Sequence, residues 1–341
     1  MVRADALECL MTILVTGSAG FIGFHLARAL LDRGERVIGF DSVNDYYDPA
    51  LKEARLAVLA DRPGFVFVRG DLADRTAMLA LAERFPDIDR IVHLAAQAGV
   101  RHAEVNPWAY IDANAMGQVA ILELARRLGR LSHLLYASSS SVYGGNTKLP
   151  FAETDPVERP YSLYAATKRG AELTAAAYAH LYGIPATGLR FFTVYGPWGR
   201  PDMAAYLFAR AITEGRPITV FGEGRLKRDF TYIDDIVSGI LGCLDSGPGV
   251  AARPDEPGGP PHRVYNLGNH RSELLSRYIA LIEQALGRRA VIEHAPRPRA
   301  DVPETYADIT RARADFGFDP ATPIDLGIPR FISWFRAWHG V

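Results

Sequence analysis

The sequence predicts an α/β fold, a doubly wound parallel sheet carrying a smaller, discontinuous C-terminal domain. Three observations carry that prediction. A short apolar run ends in a glycine turn, Gly17, Gly20 and Gly23, that opens a helix. Apolar, β-branched runs then alternate with helical stretches as far as Phe192, and beyond Thr193 this rhythm gives way to segments punctuated by Pro and Gly. Near-continuous apolar strands separated by helices are strands buried on both faces, which is the signature of a parallel sheet covered by helices.

Residues 12–16 (TILVT) form the first strand, followed by the helical stretch 20–33, which Gly34 closes. Further strands are predicted at 36–41 (RVIGFD), 65–70 (FVFVRG), 90–95 (RIVHLA), 133–138 (HLLYAS) and 185–192 (PATGLRFF), with helices between most of them. A helix is expected over 162–182. The Pro- and Gly-punctuated segments 195–200, 218–230 and 246–262 belong to a second lobe, the last as a mobile surface insertion. Residues 234–245 read as helix and 264–268 as strand, so this piece is expected to return to the first sheet. The expected division is therefore 11–192 with 234–268 in one domain and 193–233 with 269–341 in the other, after a frayed extension at 1–10.

The 341 residues carry a formal charge of −1, with 48% apolar and 23% charged residues. That balance lacks the basic excess favoured by nucleic acid or an anionic membrane surface, and neither partner is expected. Cys9 and Cys243 are too few for a disulfide framework and lack the paired spacing of a zinc site, so a cytoplasmic setting is expected. The first eleven residues contain Arg3, Asp5 and Glu8 and do not show the order of a secretory signal. No run approaches the roughly 18 apolar residues of a membrane span. The nine histidines show no HExxH spacing, and His93, inside RIVHLA, reads as a core group or one standing behind a site; no catalytic metal is expected.

In a dinucleotide turn the first glycine permits the bend, the second lets a diphosphate approach the backbone, and the third lets helix and strand pack closely. Gly17, Gly20 and Gly23 fit those roles in a G-x-x-G-x-x-G spacing, with Phe21 and Ile22 at the helix N-terminus that faces the anion. Asp41 ends the second strand, where a carboxylate accepts hydrogen bonds from the adenosine ribose and repels a 2′-phosphate, favouring NAD over NADP. A strand-ending turn former is its plain alternative. Tyr164 and Lys168 stand four apart and share a helix face. A free phenol with a pKa of about 10 is a poor base at neutrality, but a neighbouring ammonium and an oxidised nicotinamide favour phenolate, so a lowered phenol pKa is expected. Alone, Y-x-x-x-K reads as a solvated helix face; its place after the fifth strand and the serines 138–141 favours a site. Those serines lie at the rim where open α/β sheets bind ligands, or else cap a helix.

Together TGSAGFIG, Asp41, HLAAQAGVR, YASSSSVYG, YAATK and RDFTYIDD resemble the extended short-chain dehydrogenase/reductase family over nearly the whole chain, from Thr12 to Trp338. Within it, residues 41–56 (DSVNDYYDPALKEARL) and 190–203 (RFFTVYGPWGRPDM) look most like the UDP-glucuronate 4-epimerases. The resemblance implies a Rossmann-type NAD-binding domain, a UDP-sugar-binding second domain, NAD as cofactor and a homodimer. It implies that Asp71 and Leu72 hold adenine and that Leu94, Ala95, Ala96 and Asn114 line the cofactor cleft. Tyr164 would be the base, Lys168 would bind the nicotinamide ribose, and Ser139 would share the proton with the sugar 4-hydroxyl. Arg228 would meet the UDP diphosphate, Phe221 the uracil and Asp301 the uridine ribose. Thr193, Arg200, Ser140 and Ser141 would receive the sugar and its carboxylate. A surface loop arginine is the alternative for Arg200, and a structural partner of Asp234 or Asp235 the alternative for Arg228.

The implied reaction is reversible inversion at C4 of UDP-glucuronate, giving UDP-galacturonate, through a 4-keto sugar that turns in the pocket while UDP stays anchored. That intermediate is a β-keto acid, which loses CO2 when the C–C bond aligns with the carbonyl π system. Thr193, Arg200 and the serines are therefore expected to fix the carboxylate out of that alignment. Related decarboxylases and 4,6-dehydratases usually carry Glu where this chain has Ser141, and Ala300, preceded by Arg299, replaces a usual glycine before Asp-Val-Pro. The rival readings are a UDP-glucose/UDP-galactose 4-epimerase, disfavoured by the arginine and threonine, and a UDP-glucuronate decarboxylase, disfavoured by Ser141. A catalytically silent NAD-binding or scaffold protein is disfavoured by the intact Ser, Tyr and Lys.

Overall fold

A computed structural model describes residues 11–247, 261–298 and 301–341. The extension 1–10 with Cys9, most of the 246–262 insertion, and Arg299 and Ala300 lie outside the described residues.

The first half alternates strand and helix: β1 (Thr12–Thr16), α1 (Phe21–Asp32), β2 (Arg36–Asp41), α2 (Pro49–Ala60), β3 (Phe65–Arg69), α3 (Arg75–Arg84), β4 (Ile88–His93), α4 (Pro107–Tyr110), α5 (Gly117–Arg127), β5 (His133–Ser139), α6 (Leu163–Tyr182) and β6 (Ala186–Phe191). A π-helical turn, Ile111–Met116, joins α4 to α5. The second half holds β7 (Thr193–Tyr195), α7 (Ala204–Thr213), β8 (Ile218–Phe221), β9 (Lys227–Arg228), β10 (Phe230–Tyr232), α8 (Ile233–Ser246), β11 (His262–Leu267), β12 (Glu273–Leu274), α9 (Leu275–Leu286), β13 (Ile292–Ala295), α10 (Thr310–Phe316) and α11 (Ile324–His339).

Seven strands form one parallel sheet in the order β11-β6-β5-β4-β1-β2-β3. The order reverses between β1 and β4, and in such Rossmann-type sheets ligands bind beyond the strand C-termini at that reversal. β1 is buried along its whole length, with Ile13 and Val15 in one core and Leu14 in the other, as a strand period of two requires when both faces are covered. Ile38, Ile91, Ile121 and Leu134 join Leu14; Phe24, Leu135, Ile236 and Phe331 join Ile13, so the second half packs on one face of the sheet. β4 begins at Ile88, earlier than expected, because Thr12 pairs with Ile88 before the register shifts.

β11 pairs with β6 from His262 opposite Ala186 to Leu267 opposite Phe191, after α8 has packed on α1. Three two-stranded sheets, β10-β7, β12-β9 and β13-β8, build the rest of the second half. α6 starts where the Ser162 side chain accepts the Ala165 amide and ends at Gly183, whose φ of +67° closes the helix. Among the described residues no helix is long and apolar enough to cross a membrane.

Candidate active site

The glycine turn leads straight from β1 into α1. Gly17 has φ +73°, and a Cβ there would fall 2.7 Å from the Ala95 nitrogen. A Cβ on Gly23 would run into the Gly17 carbonyl, so only glycine lets helix and strand approach this closely. No side chain caps α1 and no acidic residue sits in its first turn. Its leading amides and the positive end of its dipole are thus available to an anion. Asp41 braces the turn: one carboxylate oxygen accepts the Ala19 amide at 3.0 Å and the other the Val43 amide at 2.8 Å.

A cleft of about 610 Å³ runs over the strand ends. Gly17, Gly20, Phe21, Ile22 and Gly23 line it with Asp41, Asp71 and Leu72 at one end and Leu94, Ala95 and Ala96 along the wall. Ser139, Ser140, Ser141, Tyr164, Lys168, Thr193 and Arg200 line the rest. These residues fit a dinucleotide: an uncapped helix N-terminus for the diphosphate and a strand-end carboxylate for a ribose share one trough.

Four expected residues stand elsewhere. Asn114 is not part of the lining; it shapes the wall from behind, accepting the Gln97 amide at 2.8 Å and donating to the Gln97 carbonyl at 3.0 Å and to Thr167 at 3.1 Å. Phe221, Arg228 and Asp301 also lie outside the lining. Arg228 is ion-paired with Asp301 and donates to the Lys227 carbonyl, so its partner is neither Asp234 nor Asp235. The Arg101 guanidinium stacks on Phe221, 4.5 Å from the ring centre.

At the serine end of the cleft, Ser139 and Ser141 share a 2.6 Å hydrogen bond, and the Ser139 hydroxyl stands near enough to Tyr164 to favour its ionised form. Burial raises the Tyr164 phenol above its ordinary pKa, against the pull of the Ser139 hydroxyl and of the Arg200 charge. Lys168 does not offset that rise in the protein alone. The i, i+4 spacing does place both on one face, but the Lys168 ammonium donates to the Ala137 carbonyl of β5 at 2.9 Å and sits 6.0 Å from the phenol ring centre. Burial lowers its own pKa to about 8.

Behind the serines, Glu172 of α6 accepts Ser138 at 2.6 Å and Arg190 of β6 through both oxygens, at 2.8 and 2.9 Å. The pair is almost fully buried, at 1% and 3% exposure, and ties the end of β5 to its neighbours. His93 lies in the core under the glycine turn, hydrogen-bonded to Thr16 at 2.7 Å, and burial drives its pKa to about 3, so it is neutral. Among the described residues no cluster could hold a metal ion.

The sequence reading missed a second layer of polar residues. Arg55, fully buried, donates to the Ala19 carbonyl and the Tyr47 hydroxyl at 2.8 Å each and to the Trp198 carbonyl at 2.5 Å, joining the glycine turn to the loop before Arg200. Asp202 accepts two hydrogen bonds from Arg200 and one from Tyr46. Their signal lay in the blocks 41–56 and 190–203, where nothing local separates a buried charge from a surface one.

A family model described as the NAD dependent epimerase/dehydratase family matches residues 13–268. A probable UDP-glucuronate 4-epimerase of Rhizobium meliloti (strain 1021) is 47% identical over 332 residues, 95% of this chain and 97% of that protein. UDP-glucuronate 4-epimerase 1 of Arabidopsis thaliana is 45% identical over 335 residues, 97% of this chain and 78% of its own length. The crystal structure of UDP-glucuronic acid 4-epimerase from Bacillus cereus in complex with UDP-glucuronic acid and NAD matches with a TM-score of 0.86 at 32% identity, covering 96% of this chain and 100% of that one. With a family model over most of the chain and relatives 45% and 47% identical over nearly all of it, this chain belongs to the NAD dependent epimerase/dehydratase family.

Proposed function

We propose that the protein is an isomerase, an NAD-dependent UDP-glucuronate 4-epimerase that interconverts UDP-glucuronate and UDP-galacturonate through a 4-keto sugar. The observation that carries this reading is that Ser139, Tyr164 and Lys168 line one cleft with the glycine turn and with Arg200. The whole-length similarity to proteins named for this activity supports it.

Bound NAD supplies reversible oxidation at C4, removing the carbon-bound hydrogen with its electron pair and returning it to the opposite face of the sugar. The chain's own residues handle the proton and the geometry. Tyr164, as phenolate, accepts the 4-hydroxyl proton, and Ser139 holds the hydroxyl and phenol in one hydrogen-bonded line. The proton returns by the same path. Because burial holds the phenol high, its activation requires positive charge in the cleft; Lys168 is placed to anchor a ribose and add to that charge. Thr193, Arg200 and the serines Ser140 and Ser141 hold the carboxylate so that its C–C bond stays out of alignment with the C4 carbonyl π system. Ser141, in place of a Glu, offers no acid or base for elimination.

In this reading residues 11–192 with 234–268 bind NAD, and 193–233 with 269–341 bind the UDP end. Phe221 meets uracil and Asp301 the ribose, while Arg228 exchanges Asp301 for the diphosphate. Exposed Trp108, Ile111, Leu173 and Leu181 on α4 to α6 give a homodimer an apolar face. The buried free thiol of Cys243 accords with a reducing cytoplasm.

Incubation of the purified protein with UDP-glucuronate and, separately, with UDP-glucose, followed by NMR of the products, decides among the readings. UDP-galacturonate is expected from the first and little change in the second. Rapid formation of UDP-galactose would favour the hexose epimerase, and CO2 with a UDP-pentose the decarboxylase. Tyr164→Phe should abolish turnover with NAD still bound; near-normal turnover overturns the base assignment. Arg200→Ala should weaken UDP-glucuronate binding and release UDP-4-keto-pentose, and unchanged kinetics and products remove Arg200 from the site.

A further inference from the structure

We propose that Asp202 is a positioning residue that sets the pocket's selectivity for a carboxylate by holding Arg200 in one orientation and close to electrical neutrality. The inference rests on Arg200 meeting the sugar carboxylate, as proposed above.

The arrangement is bidentate. Arg200 Nε donates to Asp202 Oδ1 at 2.9 Å and Nη2 to Oδ2 at 2.5 Å. Tyr46 supports the carboxylate from a second side, its hydroxyl donating to Oδ2 at 3.0 Å. Gly99 leaves room for that contact, because a Cβ there would fall 2.8 Å from the Tyr46 oxygen, at a φ of +102° that side chains rarely adopt. Three loops, after β2, β4 and β7, therefore converge on one aspartate, and Arg200, Tyr46 and Gly99 from those loops all line the cleft.

A guanidinium is a planar fork, and pairing through Nε and one terminal nitrogen fixes its plane and leaves the outer amino hydrogens for a ligand. An incoming carboxylate thus meets oriented donors on a pair whose charges cancel. Two consequences follow. The site admits the acid without the tight ground-state grip of a free cation, so the sugar can turn between the two half-reactions. The fixed fork also dictates where the carboxylate is held, and so how its C–C bond lies against the C4 carbonyl π system, which decides whether CO2 is lost.

The test uses NAD-loaded protein carrying Tyr164→Phe, into which UDP-glucuronate and UDP-glucose are titrated calorimetrically, with and without Asp202→Asn. Freeing the guanidinium should tighten UDP-glucuronate about tenfold and leave UDP-glucose within about twofold. In the turnover-competent protein the same substitution should lower KM, lower kcat and raise CO2 release per turnover. Asp202→Glu keeps the charge but displaces the fork: affinity should return to within about twofold of the parent while CO2 release stays raised. Equal effects on both ligands, or none, would overturn the charge argument, and parent-like CO2 release in both variants would overturn the positioning argument. If UDP-glucuronate and UDP-glucose both fail to bind with Asp202 intact, the epimerase reading falls and takes this inference with it. Melting curves of each variant confirm that it is folded, and if Asp202→Asn does not fold, Asp202→Glu alone still decides the positioning argument.

Discussion

Removing the Ser139 hydroxyl isolates the proton path. Burial raises the Tyr164 phenol, and the Ser139 hydroxyl, a hydrogen-bond donor to the phenolate in the proposed reaction, is the largest influence opposing that rise. A hydrogen bond to an ionised partner is worth about 1.5–3 kcal/mol, and about 1.4 kcal/mol corresponds to one pKa unit, so Ser139→Ala should raise the phenol by about one to two units. The phenolate is the active form, so activity climbs with pH through the phenol pKa. Losing the hydroxyl must therefore move the acid limb of the kcat/KM profile upward by the same one to two units, roughly, and cut the rate near neutrality about 10- to 100-fold. The assay is the initial rate of UDP-galacturonate formation across about pH 6 to 10, with the alkaline end recovering much of the loss. A uniform drop at every pH, with the limb unmoved, would refute the reasoning and leave Ser139 only a steric role.

The remaining expectations concern stability and cofactor binding. Glu172→Ala leaves Arg190 buried without its partner and should lower unfolding free energy by about 3–5 kcal/mol in urea; a parent-like midpoint contradicts it. Lys168 has a folded pKa of about 8, below the usual 10.5, so the unfolded chain holds this proton more tightly and the charged, buried form costs stability below about pH 8. That cost fades as pH rises between the two values, and Lys168→Met should flatten the corresponding rise in unfolding free energy; an unchanged slope counts against the burial of the ammonium. Asp41→Ala strips the acceptor from the Ala19 and Val43 amides and should weaken NAD about 10- to 100-fold by fluorescence titration, with NADP losing less; parent-like NAD affinity would remove Asp41 from the cofactor site.

What could be read from the sequence was what local chemistry dictates. The β1 strand, the glycine turn and α1 follow from one another within some twenty residues, and Ser162 and Gly183 mark the ends of α6. The short strands β7, β9, β10 and β12 escaped because two or three residues acquire strand geometry only by pairing with partners far along the chain. The site shows the same divide. Tyr164 and Lys168 were legible from spacing and Ser139 from the family resemblance, whereas Asp202, Tyr46 and Arg55 depend on three loops meeting, which no local pattern reports. Spacing likewise says that Lys168 shares a face with Tyr164, but not that its ammonium is committed to the Ala137 carbonyl.

The central claim is that inversion at C4 proceeds by removal and return of the carbon-bound hydrogen, with Tyr164 carrying only the oxygen-bound proton. Running the conversion of UDP-glucuronate in D2O and reading the UDP-galacturonate by proton NMR addresses it directly. The account predicts a product that keeps its C4 and C5 hydrogens in full; solvent deuterium at C4 would contradict it.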